Sequence, residues 1–75
     1  MEVIVGGTYK HFKGTLHKVI ALAQHSETLE KMVVYTHEDT NEVWVRPYDL
    51  FTSEVDHQKY PEVEQKNRFE YIGEL

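Results

Sequence analysis

The sequence predicts a small, mostly β domain built on a strongly bent antiparallel sheet. Two neighbouring segments, 31–37 and 42–46, are rich in β-branched and aromatic residues, and the side chains of the second alternate as in a half-buried strand. Short polar or glycine-containing turns separate the apolar segments. A chain of 75 residues can bury only one small core, so we expect a single domain.

The N-terminal third predicts two strands joined by a tight turn. The Gly-Gly pair at 6–7 marks flexible backbone, so residues 1–6 are expected to be flexible. Residues 8–12 indicate a short strand or extended arch that ends at Gly14, in a turn requiring positive φ. Residues 16–25 favour a strand, with a helix as the alternative because Ala and Leu are good helix formers. A turn at 26–28, or a short helix capped by Ser26, follows.

The middle of the chain predicts a hairpin across a polar four-residue turn at 38–41. That turn length places Tyr35 opposite Trp44 and Val33 opposite Arg46, and a facing aromatic pair adds roughly 0.2–1 kcal/mol to a sheet. The other face of this hairpin then carries Met32, Val34, Val43 and Val45.

The last third predicts a helical plug and a docked tail. Pro47 ends the hairpin because it has no N–H, and a one-turn helix follows in which Leu50 and Phe51 plug the core. Residues 52–56 are expected to form a final short strand, so the domain spans 7–56. Residues 57–75 then form a polar loop and a C-terminal segment that docks back, with 68–72 as an edge strand. This order of short strands and helix predicts a bent sheet or an SH3-like barrel.

The amino-acid composition limits the cellular environment and the kinds of partner expected for this chain. The net charge of −5 argues against broad nucleic-acid binding, although a basic stretch (Lys10, Lys13 and Lys18) could attract anions locally. The absence of cysteine excludes disulfides and thiolate metal sites and favours a reducing cytoplasm. Residues 1–7 do not form a signal peptide, and the longest apolar run, 19–23, is too short to cross a bilayer, so no membrane partner is expected.

Three separated motifs resemble those of one family. Residues 7–14 read Gly-Thr-Tyr-Lys-His-Phe-Lys-Gly, residues 25–30 read His-Ser-Glu-Thr-Leu-Glu, and residues 44–47 read Trp-Val-Arg-Pro after a Val-Tyr pair and before Phe51. In this order they are similar to the motifs of the domain-of-unknown-function family numbered 1653. The turn at 36–41 lacks the Tyr- and Gly-rich character associated with many members. The resemblance implies a small bacterial or phage protein and carries over no established activity.

Aromatic and basic side chains are predicted to converge on one face of the hairpin. Aromatic planes and a guanidinium can stack on a base or hold a phosphate or carboxylate. The alternative is that Tyr35 and Trp44 are core residues and that Arg46 pairs with Asp49 or Glu42. The predicted binding site consists of Tyr9, His11, Phe12, Lys13, Tyr35, Trp44 and Arg46, with His25 and Glu27 at the rim.

The histidines raise a second hypothesis. In one of two registers His17 and His37 face each other, and His11 could join them in a three-histidine, zinc-type site. The alternative is that all three are ordinary surface or capping histidines. His25, Ser26 and Glu27 are triad residue types, but adjacent residues in a turn do not align a nucleophile with its base.

These patterns predict a non-enzymatic small domain, without a cofactor, that binds a ligand, a peptide or a local nucleic-acid element. The first alternative is a structural or interaction protein whose aromatic face is buried in a homodimer or against another protein. The second is a metal-dependent hydrolase that uses His11, His17 and His37.

Overall fold

The computed structural model describes residues 2–74 and consists of one antiparallel sheet and one short helix. The strands are β1 (Thr8–His11), β2 (Leu16–Gln24), β3 (Lys31–His37), β4 (Val43–Pro47) and β5 (Phe69–Gly73), and helix α1 (Tyr48–Phe51) follows β4. The order in the sheet is β4-β3-β2-β1-β5, so β4 and β5 are the edges. The mostly β fold is confirmed, but the edges do not pair with each other and the sheet does not close into a barrel.

The sheet curls until its two edges meet across one face. The Arg46 guanidinium of β4 lies over the Phe69 ring of β5, with its carbon 5.3 Å from the ring centre. A bulge in β2 between Val19 and Ala21 bends the middle of the sheet, because the extra residue locally increases the strand twist. We call the inner surface of this curl the concave face.

One half of the concave face is the hydrophobic core. Phe51 of α1 stacks on Phe69, with ring centres 4.1 Å apart and planes 7° from parallel. Helix α1 therefore plugs the open sheet with Phe51, as predicted, but Leu50 is 52% exposed and does not take part. A one-turn helix presents only one side, so adjacent residues cannot both point inward. The core consists of Val3, Tyr9, Val19, Val33, Tyr35, Phe51 and Phe69.

The predicted hairpin register is confirmed. Tyr35 pairs with Trp44 and Val33 with Arg46 across the turn. Asn41 adopts a positive φ of 58°, which lets a short polar turn reverse the chain in this register. Met32, Val34, Val43 and Val45 consequently lie on the convex face of the sheet.

The strand interpretation of β2 is also confirmed. Its neighbours β1 and β3 supply ladder partners on both sides, which overrides the helical preference of its Ala and Leu residues. A turn follows at residues 26–28, where Nδ1 of His25 accepts hydrogen bonds from the backbone N–H groups of Glu27 and Thr28. Gly14 has a φ of 100°, as predicted for the turn between β1 and β2.

Both ends of the described chain are packed into the fold. Val3 is buried in the core, and its N–H donates to the Tyr48 hydroxyl, so the segment expected to be flexible is anchored. At the other end β5 pairs with β1 as an edge strand and supplies Phe69 to the core. The core therefore draws on residues outside 7–56. Residues 1 and 75, at the two ends of the predicted segments, lie outside the described residues.

Two further local features differ from or refine the sequence analysis. Residues 52–56 form only an isolated bridge from Glu54 to Asn67, instead of the predicted strand. Gly7 is needed because a Cβ there would lie 2.8 Å from the Tyr71 ring. Within residues 2–74 no helix is long and apolar enough to cross a membrane.

We predict that Phe51→Ala destabilises the domain by about 3–5 kcal/mol, because it removes a fully buried ring from the stack with Phe69. The matched control is Leu50→Ala on the neighbouring exposed position, with an expected loss of about 0.5 kcal/mol. Urea unfolding followed by circular dichroism measures both. Equal losses for the two variants would show that α1 does not plug the core.

Candidate functional site

Beyond the core, the concave face continues into an open, mostly apolar cavity of about 320 Å³. We call it the histidine cavity. It is lined by His11, Lys13, Thr15, His17, Tyr35, His37, Trp44, Arg46 and Phe69. Because Tyr35 and Phe69 belong to both the core and the cavity wall, the cavity floor is as rigidly held as the core itself.

Strand register brings the histidines together. His17 of β2 pairs directly with His37 of β3, and their ring centres are 4.8 Å apart in an edge-to-face arrangement. His11 of β1 pairs with Phe69 of β5, and the His11 ring centre lies 6.2 Å from that of His17. Strands β1, β2, β3 and β5 therefore each contribute an aromatic or imidazole side chain to the cavity.

Among residues 2–74, two buried imidazole nitrogens of these rings lack a hydrogen bond of good geometry. His17 is only 6% exposed; its Nε2 lies 2.7 Å from the Thr15 hydroxyl oxygen, its Nδ1 is buried, and the backbone of Thr36 is a further polar neighbour of the ring. Nδ1 of His37 is also buried without a partner. An unsatisfied buried polar atom costs about 1–3 kcal/mol. Both atoms are closed to solvent, so a ligand in the cavity would contact them only after a movement of the rings.

The cavity keeps two of its histidines, His11 and His17, mostly neutral at neutral pH. Burial, followed by the positive charge of Arg46 and the neighbouring ring of His17, lowers the pKa of His11 to about 4. Burial and the neighbouring His37 also lower the pKa of His17. A neutral imidazole has one donor and one acceptor nitrogen. Nδ1 of His11 already accepts a hydrogen bond from the N–H of Lys13, so Nε2 of His11 is its donor nitrogen. The positive charge of the cavity comes from Lys13 and Arg46.

Trp44 and Arg46 form the open side of the cavity. Trp44 is 51% exposed and is therefore not a core residue, whereas its cross-strand partner Tyr35 is buried. Arg46 lies over Phe69 and, within residues 2–74, makes no ion pair with Asp49, Glu42 or another carboxylate. The alternative in which Arg46 is neutralised by a local acid is therefore wrong.

The structure brings together part of the predicted site. The predicted residues that line the cavity are His11, Lys13, Tyr35, Trp44 and Arg46. Phe12 lies next to the cavity, against His11 and Tyr60, with ring centres 4.4 and 5.0 Å away.

The other predicted residues lie elsewhere. Tyr9 is a core residue whose hydroxyl accepts a hydrogen bond from the N–H of Ile4. His25 and Glu27 lie in the β2–β3 turn, at the end of β2 away from His17, where the His25 ring satisfies turn amides. The sharp bend of the sheet does not return this turn to the cavity.

Sequence reasoning missed Thr15 and Phe69 as lining residues. Thr15 could have been found, because residues two apart in an extended segment share a face and His17 was already of interest. Nothing near Phe69 in the sequence predicts its role, because it lies 32 positions or more from the three cavity histidines. Its place in the cavity depends on the position of β5 in the sheet.

The structure does not support the three-histidine metal site. His17 and His37 do face each other in the register considered, but among residues 2–74 no group of three His, Cys, Asp or Glu side chains is placed to hold a metal ion. The hydroxyl–imidazole pair of Thr15 and His17 is a contact that the metal hypothesis did not include.

Acidification is predicted to destabilise the domain through His11. Its pKa is about 4 in the folded chain against an ordinary value of 6.5, so between these values the unfolded chain binds more protons. The neutral His11 therefore leaves the free energy of unfolding unaffected above pH 6.5, and this free energy decreases as the pH falls toward 4. Because His11 is partly solvated, we expect a slope below about 1.4 kcal/mol per pH unit.

Urea unfolding between pH 4 and pH 7.5 measures this slope. His11→Gln should reduce it. Identical slopes for the wild type and His11→Gln would contradict the assignment.

Comparison with known proteins gives a family. Searches of curated proteins and of solved structures return no significant match. The sequence model of one family matches residues 7–71, a region that contains every residue lining the histidine cavity. It is the family that the motifs at 7–14, 25–30 and 44–47 resemble. The chain therefore belongs to the family described as protein of unknown function, DUF1653.

Proposed function

We propose that this domain is a non-enzymatic binding module that holds a small planar ligand in the histidine cavity. The observation that carries the proposal is an open cavity whose wall combines aromatic and imidazole rings with the guanidinium of Arg46, which has no carboxylate partner among residues 2–74. A concave, mostly apolar pocket with a few polar groups is the usual form of a small-molecule site.

The lining favours a planar ligand with hydrogen-bonding edges. Aromatic and imidazole rings supply stacking and edge contacts, and Nε2 of His11, whose Nδ1 accepts from the Lys13 N–H, supplies a hydrogen-bond donor. Arg46, without a carboxylate partner in the part of the chain described, suits a negatively charged substituent. A volume of about 320 Å³ is at the lower end for small-molecule sites, so one ring fits better than an extended peptide or nucleic-acid segment.

The geometry supports binding over catalysis. The Thr15 hydroxyl and His17 Nε2 are within hydrogen-bonding distance, as in a nucleophile and its base. However, among residues 2–74 no carboxylate forms a hydrogen bond with the other nitrogen of His17, and burial lowers the pKa of this histidine, which weakens it as a base. The lack of cysteine in the sequence supports a cytoplasmic location for such a module.

Ligand titration monitored by NMR tests the proposal. Nucleosides, mononucleotides and short RNA and DNA are titrated against the ¹⁵N-labelled protein. We expect shifts at the Trp44 indole and at Arg46, with Trp44→Ala weakening binding about tenfold, in line with 1–3 kcal/mol for aromatic stacking. His25→Ala is the control and should bind normally. Shifts at neither Trp44 nor Arg46 with any of these compounds would contradict the proposal.

A second candidate function is supported by the exposed edge of the sheet. On β4 the side chains of Val43 and Val45 are 62% and 57% exposed, and Trp44 between them is also exposed. The outer backbone groups of an edge strand can pair with another strand. The domain could therefore act as an interaction protein that buries this edge in a homodimer.

Sedimentation velocity distinguishes this candidate. If β4 is a dimer edge, the wild type sediments as a dimer at tens of micromolar and acrylamide quenches Trp44 weakly, whereas Val45→Lys is a monomer with readily quenched Trp44. A wild-type monomer at all concentrations would exclude it.

A further inference from the structure

A second pocket adjoins the histidine cavity and is strongly basic. It has a volume of about 370 Å³ and shares His11, Lys13 and Arg46 with the cavity, so the two pockets border each other. We call it the basic cleft. The residues that matter for its chemistry are Lys13, Arg46, Asp56, Lys59, Tyr60 and Arg68.

The charge of the basic cleft is opposite to that of the whole chain. Four cations and one carboxylate give +4 − 1 = +3, in a protein with a net charge of −5. The carboxylate, Asp56, is already used locally, because its Oδ1 accepts hydrogen bonds from the N–H groups of Gln58 and Lys59. In the described chain the ion pair with a distance under 4.0 Å is Lys66–Glu54, outside the cleft. The cleft cations therefore have no carboxylate partner there.

Neighbouring contacts hold these cations in place. The ammonium nitrogens of Lys13 and Lys59 lie 5.5 and 5.4 Å from the centre of the Tyr60 ring. Although desolvation opposes them, these two charges lower the pKa of the Tyr60 hydroxyl. Nε of Arg68 donates to the Ser53 hydroxyl at 3.1 Å, which orients its guanidinium. Like charges gathered in this way repel one another, and an anion would offset that repulsion.

We propose that the basic cleft binds the phosphate of a phosphate monoester whose planar ring occupies the histidine cavity. A dianionic, tetrahedral group suits several converging cations better than a single carboxylate does, and two guanidinium groups match its oxygens with paired N–H donors. Arg46 stands on the wall shared by both pockets, where it can contact ring and phosphate together. The inference rests on the proposed function and names its ligand class: a nucleoside monophosphate, free or at the 5′ end of an oligonucleotide.

The first measurement tests the basic cleft without a ring. Inorganic phosphate is titrated against the ¹⁵N-labelled protein at constant ionic strength, with sodium chloride as the reference. We expect phosphate-specific shifts at the Arg68 Nε and at the amides of Phe12 and Lys13. Shifts no larger than those in sodium chloride would overturn the proposal.

The second measurement compares ribonucleosides with their 5′-monophosphates by isothermal titration calorimetry. We expect the monophosphate to bind at least tenfold more tightly. Lys59→Gln should reduce the ratio of monophosphate affinity to nucleoside affinity at least threefold. The affinity for the nucleoside should not change, because Lys59 lines the basic cleft and not the histidine cavity. The matched control is Lys18→Gln, which removes the same charge from the other side of the sheet and should have no effect.

The outcomes separate this inference from the proposed function. If nucleoside and monophosphate bind equally, the phosphate site is wrong while ligand binding in the histidine cavity stands. If phosphate binds but no nucleoside does, the basic cleft is an anion site and the planar-ligand proposal is wrong. A trinucleotide with a 5′-phosphate is compared with the same trinucleotide ending in a 5′-hydroxyl. If the phosphorylated form binds as tightly as the monophosphate and the hydroxyl form binds more weakly, the ligand is the 5′ end of an oligonucleotide. Binding of the monophosphate alone supports the free nucleotide.

Discussion

The stack of Phe51 on Phe69 is the contact on which the rest of this structure depends. Phe51 arrives from a one-turn helix after β4, and Phe69 from β5 at the opposite edge of the sheet. Their contact holds two sheet edges close to each other without a closed barrel. Because Phe69 also contacts Tyr35 and the Arg46 guanidinium, the same ring joins the hydrophobic core to the floor of the histidine cavity. A small domain has few other core residues to compensate for its loss.

On the concave face, the same strands form both the hydrophobic core and the histidine cavity. Toward one end of the strands, alternate side chains are Val19 and Val33, and toward the other they are His17 and His37. The change from aliphatic to imidazole side chains makes this part of the face aromatic and introduces nitrogen atoms that can form hydrogen bonds. Burial then keeps at least His11 and His17 uncharged at neutral pH, so the cavity presents hydrogen-bonding groups without adding to the positive charge of Arg46.

The electrostatics of the domain are local rather than global. The chain carries a net charge of −5, yet cations from the β1–β2 arch, from β4 and from the segment before β5 meet in the basic cleft. Over distances longer than about 8–10 Å, salt screens the excess of acidic groups, whereas groups that line one cleft interact directly. Net charge is therefore a poor guide to which small anions such a domain can attract, although it still disfavours a long nucleic-acid backbone.

The sequence by itself determined the elements that depend on neighbouring residues. Alternation and turn length determined the β3–β4 hairpin, including the pairing of Tyr35 with Trp44, because a register shift would move every side chain to the wrong face. Positive φ at Gly14 and the break at Pro47 also follow from local chemistry.

Only the tertiary structure decided that Tyr9 belongs to the core, that His25 and Glu27 lie apart from the cavity, and that Phe69 and Arg68 complete the two pockets. These positions depend on sheet order and curvature, which arise from contacts between residues far apart in the chain. No local pattern encodes such contacts, because the burial of these residues depends on which strand packs against them and not on their neighbours in the sequence.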